Sequence, residues 1–542
     1  MLILVCIRLW LVQGLFLAAR NYFFDDLLYL DHGRTIINGQ WLGAYNETTL
    51  VKGPGYPLWI ALSFFSSIPL LLSQNIFYIV ACSLLIYALL PFAGQRYPLL
   101  FVLFCALLFD PQAYSSYNLR VVRDFLYSTQ HLLVLACLVG LLSQRDKIVG
   151  LFWWALGLGG GLAFLWLTRE ESFLLLPAVV LLLGYTGWRI WREKGEQSMP
   201  RMCLLLMPLG VLVMANMGVC LLNNHYYGIP AVVEQNSTPV KQALSALQRV
   251  KQAAWHRYIP LPKETREKIY PVSSAFAELR PSLEGEIGKM WTEMSASRLP
   301  ELAGREDIGG GWYTWALLDS VKGAGYYRSG QTTMNYYARL AAEVNAACAD
   351  GRLACYPSPH FGLPKHLGEL FPHILRSFVD LCRYLASYEQ NQPVQQASLL
   401  NSDEEYVNFV DITLNNIAPP SGQTLPTINQ NQINQWKFDI LQKIYLSYKS
   451  IIPVIYGLAG CCLLLIGGFS LWSRTAGPLM IINLTILAII LPRILGLAYI
   501  DATACSARPY LGPLYPLTIL ASFLLCLNLA ELVSHYQKKC CS

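Results

Sequence analysis

The chain has 542 residues, 54% of them hydrophobic and only 14% charged, with a mean hydropathy of +0.38 and a formal net charge of +6. A soluble globular chain carries about 25% charged residues, so this composition excludes an ordinary soluble enzyme and describes a polytopic membrane protein. The modest positive charge lies mainly in short loops, which argues for membrane orientation and against a nucleic-acid partner.

Apolar runs of the ~20 residues that a span requires fall near 2–19, 56–73, 76–93, 125–143, 148–167, 172–188, 202–222, 451–472, 478–500 and 511–531. The first run lacks a basic start, and Leu17-Ala18-Ala19 is a poor cleavage site, so it reads as a span rather than a signal peptide. The run 97–109 is too short for a span and reads as re-entrant or as a bent continuation of its neighbour. Arg145, Lys147, Arg189, Arg192, Lys194, Arg201, Arg474, Lys538 and Lys539 mark the cytoplasmic side. Alternation then places Arg20–Gly55, 110–124, Arg169–Glu171, 223–450 and Asp501–Arg508 outside, provided that 97–109 does not cross.

These runs predict an all-α membrane bundle of about 10–11 helices, with a mostly helical extracytoplasmic domain inserted before the last three spans. Residues 1–222 form the N-terminal membrane module, with the outer loop 20–55; 223–450 form the inserted domain; 451–542 form the C-terminal helices and a short cytoplasmic tail. Within the insert, Thr238-Pro239 is a helix start, and Val240, Ala243, Leu244, Leu247 and Val250 fall on one face. Ser402 to Glu405 matches a capping box, 331–349 is amphipathic, and the pattern from Gln430 runs into the span at 451. Cys348 and Cys355 bracket a short loop and read either as a disulfide or as two free thiols.

The residues able to do chemistry cluster in the outer segments. Asp25-Asp26 is flanked by aromatic and apolar residues, which press the carboxylates against the membrane surface. Burial there raises a carboxylate pKa and favours its use as a proton acceptor, against the plainer reading of a solvated acidic loop. Lys52, before Gly53-Pro54-Gly55, is returned to the same surface, where Arg120, Arg123 and Asp124 open a later span. Outer-face arginines not needed for topology commonly have an anionic ligand, and the planar guanidinium suits phosphate. The alternative is an ordinary interfacial charge pair. Arg169-Glu170-Glu171 and Arg508-Pro509-Tyr510 form further outer clusters. Arg493, inside an apolar run, is either functional or a structural ion-pair partner of the outer glutamates.

In this order the motifs resemble the GT-C class of polyprenyl-phosphate-sugar-dependent glycosyltransferases, nearest in pattern to the protein O-mannosyltransferases and the lipid A aminoarabinose transferase family. Asp25-Asp26-Leu-Leu-Tyr29 is similar to the acidic motif of the first outer loop, with Asp26 in place of Glu. Lys52-Gly-Pro54-Gly resembles the Lys-Pro-Pro motif with an inserted glycine. Asp124 takes the place of the second acidic residue, and Thr168-Arg169-Glu170-Glu171 that of a Thr-Lys-Gly segment with changed charges. Arg508-Pro-Tyr510 leads into a similar Tyr-Pro ending.

The resemblance covers 1–222 and 451–531 and implies an enzyme of the bacterial inner membrane acting on its extracytoplasmic side. Its donor would be a polyprenyl-phosphate-linked sugar, its acceptor an unidentified lipid, glycan or protein, and its chemistry inverting single displacement. Asp25 would be the general base, with Asp26 and Asp124 supporting it. Lys52, Arg120, Arg123 and Arg508 would hold the donor phosphate, with Arg169, Glu170, Glu171 and Tyr510 around them. No cofactor is required, although some relatives use a divalent cation, which Asp25 and Asp124 could hold. The same architecture serves oligosaccharide ligases and oligosaccharyltransferases. A lipid-glycan transporter or scaffold is the non-enzymatic alternative, which would place ionisable residues at the bilayer midplane.

Overall fold

A computed structural model describes all residues except 22–24, 194–196, 358–365, 421–427, 474–476 and 542, and omits the side chains of 428–434, 467–473 and 535–541. Lys194 and Arg474 therefore lie outside the described residues, as do the side chains of Lys538 and Lys539. Among the described residues every named element is helical, and nine helices are long and apolar enough to cross a membrane. These are Leu70–Phe92, Tyr97–Tyr114, Asp124–Ser143, Ile148–Thr168, Glu170–Glu193, Ser198–Tyr227, Gln435–Ile466, Pro478–Thr503 and Leu514–Ser534. The chain is a multi-pass membrane protein.

The N-terminal module contains α1 (Leu2–Val12), α2 (Asp25–Ile37), α3 (Gly55–Phe65), α4 (Leu70–Leu89), α5 (Tyr97–Leu108), α6 (Asp124–Ser143), α7 (Ile148–Thr168) and α8 (Leu176–Glu193). Two expected spans are corrected. The run 2–19 is helical only to Val12, because Gly14 takes a left-handed backbone (φ +85°) and 17–20 run extended. There Leu17 and Ala19 exchange backbone hydrogen bonds with 399–418. The run 56–73 is broken after Phe65, where Ser67 has φ +55° and Pro69 caps the next helix. At 11 residues each, α1 and α3 are about half a bilayer long.

The run 97–109 is also corrected. A 3-10 turn at Pro111–Tyr114 prolongs α5 to the length of a span. Sidedness within the bundle is nevertheless kept, because α1 and α3 both fall short of crossing. Arg145 pairs with Glu193, and Arg96 donates to the Ala530 carbonyl, so these basic residues share one end. Loop 20–55, the turn 115–123, Arg169 and the 504–513 turn meet at the other end.

The inserted segment has two parts. Residues 238–355 build a core around Phe276, Leu317, Tyr337 and Leu340, into which Leu28 and Val51 of the 20–55 loop also pack. The disulfide Cys348–Cys355 closes its last turn. By contrast, Leu381, Leu385, Phe409 and Ile417 join the core of the membrane bundle. The sequence signals hold locally: Thr238–Arg249 and Gly330–Ala349 are helices, and Ile428–Ser473 is continuous into the membrane. Ser402 caps Asp403–Thr413 by accepting from Glu405 N, while the Glu405 carboxylate turns back to Asn401 N rather than to the cap residue.

Candidate active site

Asp25 and Asp26 occupy the first turn of α2, where the free N–H groups favour negative charge. Their surroundings differ sharply. Asp26 is fully buried and held in a two-pronged fork by Arg120, with Nε–Oδ1 at 3.1 Å and Nη2–Oδ2 at 2.5 Å. Burial pushes its carboxyl up to about 6 against the pull of Arg120. Asp25 faces the other way, with a side chain 41% exposed and Oδ2 3.4 Å from Lys52 Nζ. Burial in the recess raises its pKa, but Lys52, Arg123 and Arg169 together outweigh that effect and hold the carboxyl below its ordinary value. The expectation that desolvation would raise Asp25 is therefore corrected: the raised carboxyl is Asp26.

The second half of the site is a chain of ion pairs at the ends of α6, α7 and the following 3-10 turn (Glu170–Leu175). Arg123 donates to the Thr168 carbonyl at 2.6 Å and to both oxygens of Glu170, at 3.3 and 3.2 Å. Asp124 pairs with Arg169 at 2.5 Å. Arg169 also approaches Glu171 at 2.8 Å and lies between the rings of Tyr127 and Tyr510. Arg493 reaches the Tyr510 carbonyl at 2.9 Å and lies 4.0 Å from Glu171, so of its two sequence readings the geometry matches the ion pair with an outer glutamate. Five carboxylates thus face five cations, in a region where a buried charge without a partner costs several kcal/mol.

Lys52 is positioned by its glycines. A Cβ on Gly53 would lie 2.2 Å from the Leu167 carbonyl oxygen, and one on Gly55 2.5 Å from Thr168 Oγ1. Only a chain without side chains at both positions can seat against the end of α7. The insert covers this loop: the Trp315 ring lies 5.7 Å from Lys52 Nζ. Sequence reading missed Trp315, which carries no local signal and lies far from the loop in the chain.

Arg508 stands apart. It is exposed, lies over the Tyr384 ring at 4.8 Å, and shares the 3-10 turn Arg508–Leu511 with Tyr510. Tyr29 and Tyr117, beneath Arg123 and Arg120 respectively, complete the lining. Asp25 and Asp124 are held by different cations, and no group of three His, Cys, Asp or Glu side chains converges among the described residues. The site therefore presents Asp25, the most exposed of these five carboxylates, beside an ammonium, backed by a lattice of arginines and carboxylates.

No family model matches the chain, and no curated protein does. Among solved structures it is similar to the arabinosyltransferase EmbB from Mycobacterium smegmatis, at 14% identity and a TM-score of 0.32, over 94% of this chain and 40% of that one. It is also similar to ArnT from Cupriavidus metallidurans, at 12% identity and a TM-score of 0.31, over 93% of this chain and 76% of that one. The chain thus spans well under half the length of the first.

Proposed function

We propose that the chain is an integral-membrane glycosyltransferase of GT-C type. It transfers a sugar from a polyprenyl-phosphate donor to an acceptor hydroxyl at the extracytoplasmic face of a bacterial inner membrane. Supporting this reading is the contrast between Asp25 and its neighbours. Asp26, Asp124 and Glu170 are each bound by an arginine, whereas the Asp25 side chain is 41% exposed and pairs with the ammonium of Lys52.

In one displacement, the acceptor proton passes to Asp25, the acceptor oxygen bonds to the anomeric carbon, and the bond from that carbon to the phosphate oxygen breaks. Its electron pair leaves on the polyprenyl phosphate, and the anomeric centre inverts. Protonation of Asp25 removes the partner of Lys52 as negative charge builds on the leaving phosphate, so the ammonium can turn to it. Arg123 and the exposed Arg508 supply further positive charge. Arg120 serves by fixing Asp26 and hence the first turn of α2, and Asp124 by fixing Arg169. A depressed pKa keeps Asp25 ionised, and so able to accept a proton, at neutral pH.

The test is Asp25→Asn. This variant should insert and accumulate normally but lose transfer by about 10²–10⁴-fold, the range for removing a general base. Undiminished transfer would remove Asp25 from the reaction.

A further inference from the structure

The helix Gly310–Gly323 of the insert bridges the mouth of the site. Its start is fastened to the bundle side by one bond, from Gly311 N to the Ala504 carbonyl at 3.3 Å, just before Arg508, while Gly310 N donates to the Tyr258 carbonyl within the insert at 2.7 Å. Its far end is fastened to the opposite wall, where Lys322 pairs with Glu47 of the 20–55 loop at 2.6 Å. Between these anchors it carries Trp315, half-buried against the core of the insert, with Lys52 Nζ over its ring 5.7 Å from the centroid, a face that is freed when the donor phosphate draws the ammonium away. Lys52 in turn is 3.4 Å from Asp25. An indole held at both ends of its helix, partly open, and one side chain removed from Asp25 has the form of a stacking platform. Aromatic faces of this kind pack against the C–H face of a sugar ring, while the hydroxyls at the ring edge remain free to reach a base.

We propose that Trp315 is a specificity-determining residue of the insert that stacks on a saccharide ring of the acceptor and presents its hydroxyl to Asp25. The acceptor is therefore a glycan, rather than a serine or threonine side chain or a simple lipid alcohol. This rests on the glycosyltransferase reading above. It adds that the insert is part of the active site.

The experiment uses the full-length protein in nanodiscs with radiolabelled polyprenyl-phosphate sugars as donors. Hexyl β-glycosides of glucose, galactose and mannose serve as saccharide acceptors, and a Ser/Thr peptide and hexanol as controls. The wild type should transfer to a hexyl glycoside and not to the peptide or hexanol. Trp315→Ala should raise the KM for that glycoside by roughly tenfold to a hundredfold, with kcat within about threefold, while Trp315→Phe stays near wild type. Trp315→Ala should melt within a few degrees of wild type, and the recovery of KM in Trp315→Phe separates a lost platform from a damaged fold. A wild type that glycosylates the peptide or hexanol instead of the glycosides overturns the proposal, as does an unchanged glycoside KM in Trp315→Ala. A wild type that consumes none of the donors overturns the underlying glycosyltransferase reading, and the proposal with it.

Discussion

Lys52 Nζ lies 3.4 Å from Asp25 Oδ2 with the Trp315 ring on another side, so one ammonium is shared between a carboxylate and an aromatic face. Removing the amine leaves Asp25 with burial, which raises its pKa, and with only the more distant arginines to oppose it. Lys52→Ala should therefore move the acid limb of the rate–pH profile upward. It should also weaken donor binding by about 10- to 100-fold, as expected for loss of a charged hydrogen bond. An acid limb that stays in place would show that Lys52 does not set the charge of Asp25.

Arg120 and Asp26 make a different prediction, because Asp26 is fully buried. Arg120→Met leaves that carboxylate without its partner and should cost about 3–5 kcal/mol. The double variant Arg120→Met/Asp26→Leu removes both charges and should recover most of the loss in thermal denaturation. Equal destabilisation of the single and double variants would mean that the pair is not what holds this turn of α2.

Gly53→Ala tests the seating of the lysine loop. Its Cβ would meet the Leu167 carbonyl at 2.2 Å, and backbone on both sides has little freedom to yield. The expected outcome is a stability loss of about 1–3 kcal/mol from overpacking. Transfer should fall further than stability does, since Lys52 is displaced. Gly160→Ala, which meets nothing within 4 Å, is the control and should match wild type in both measurements.

Glu234 is a buried carboxylate where the insert meets loop 20–55. It accepts from Tyr45 at 2.9 Å and Tyr327 at 2.7 Å and has no cation beside it among the described residues. Burial pushes its pKa up, and the two hydroxyls only partly offset this. A raised folded-state pKa gives stability that is complete below the unfolded value and is lost as pH rises through the folded one. The deficit of Glu234→Gln relative to wild type should therefore shrink as melting is followed from about pH 5 to about pH 8. A deficit independent of pH would show that Glu234 does not titrate in this range.

Much of this arrangement was legible in the sequence. Composition and run length defined a membrane bundle, and the order of Asp25, Lys52, Arg123 and Asp124 pointed to residues that do meet at one end. Hydropathy overran its limits at 13–19 and 66–69. The buried extended stretch 17–19 is as apolar as a helix, and periodicity does not separate the two, while the turn at 66–69 is too short to interrupt a hydropathy run. The cues were Gly14 and the Ser66-Ser67-Ile68-Pro69 turn. Pairing was the other gap. Nothing local indicates that Arg120 faces Asp26 rather than a phosphate, or that Trp315 reaches Lys52, because both contacts join distant parts of the chain.

The extended stretch after α1 has a consequence for biogenesis. Ala19 N donates to Ser398 Oγ, and the Leu17 carbonyl accepts from Ala418 N, across almost 400 residues of chain. At a synthesis rate of about 5–20 residues per second, the N-terminal stretch waits at least some twenty seconds for these partners to emerge. The stretch leading into Asp25 is thus among the first parts of the protein to be made and among the last to be tied down, whereas Lys52 and Arg120, which hold the acidic pair, emerge long before that anchor.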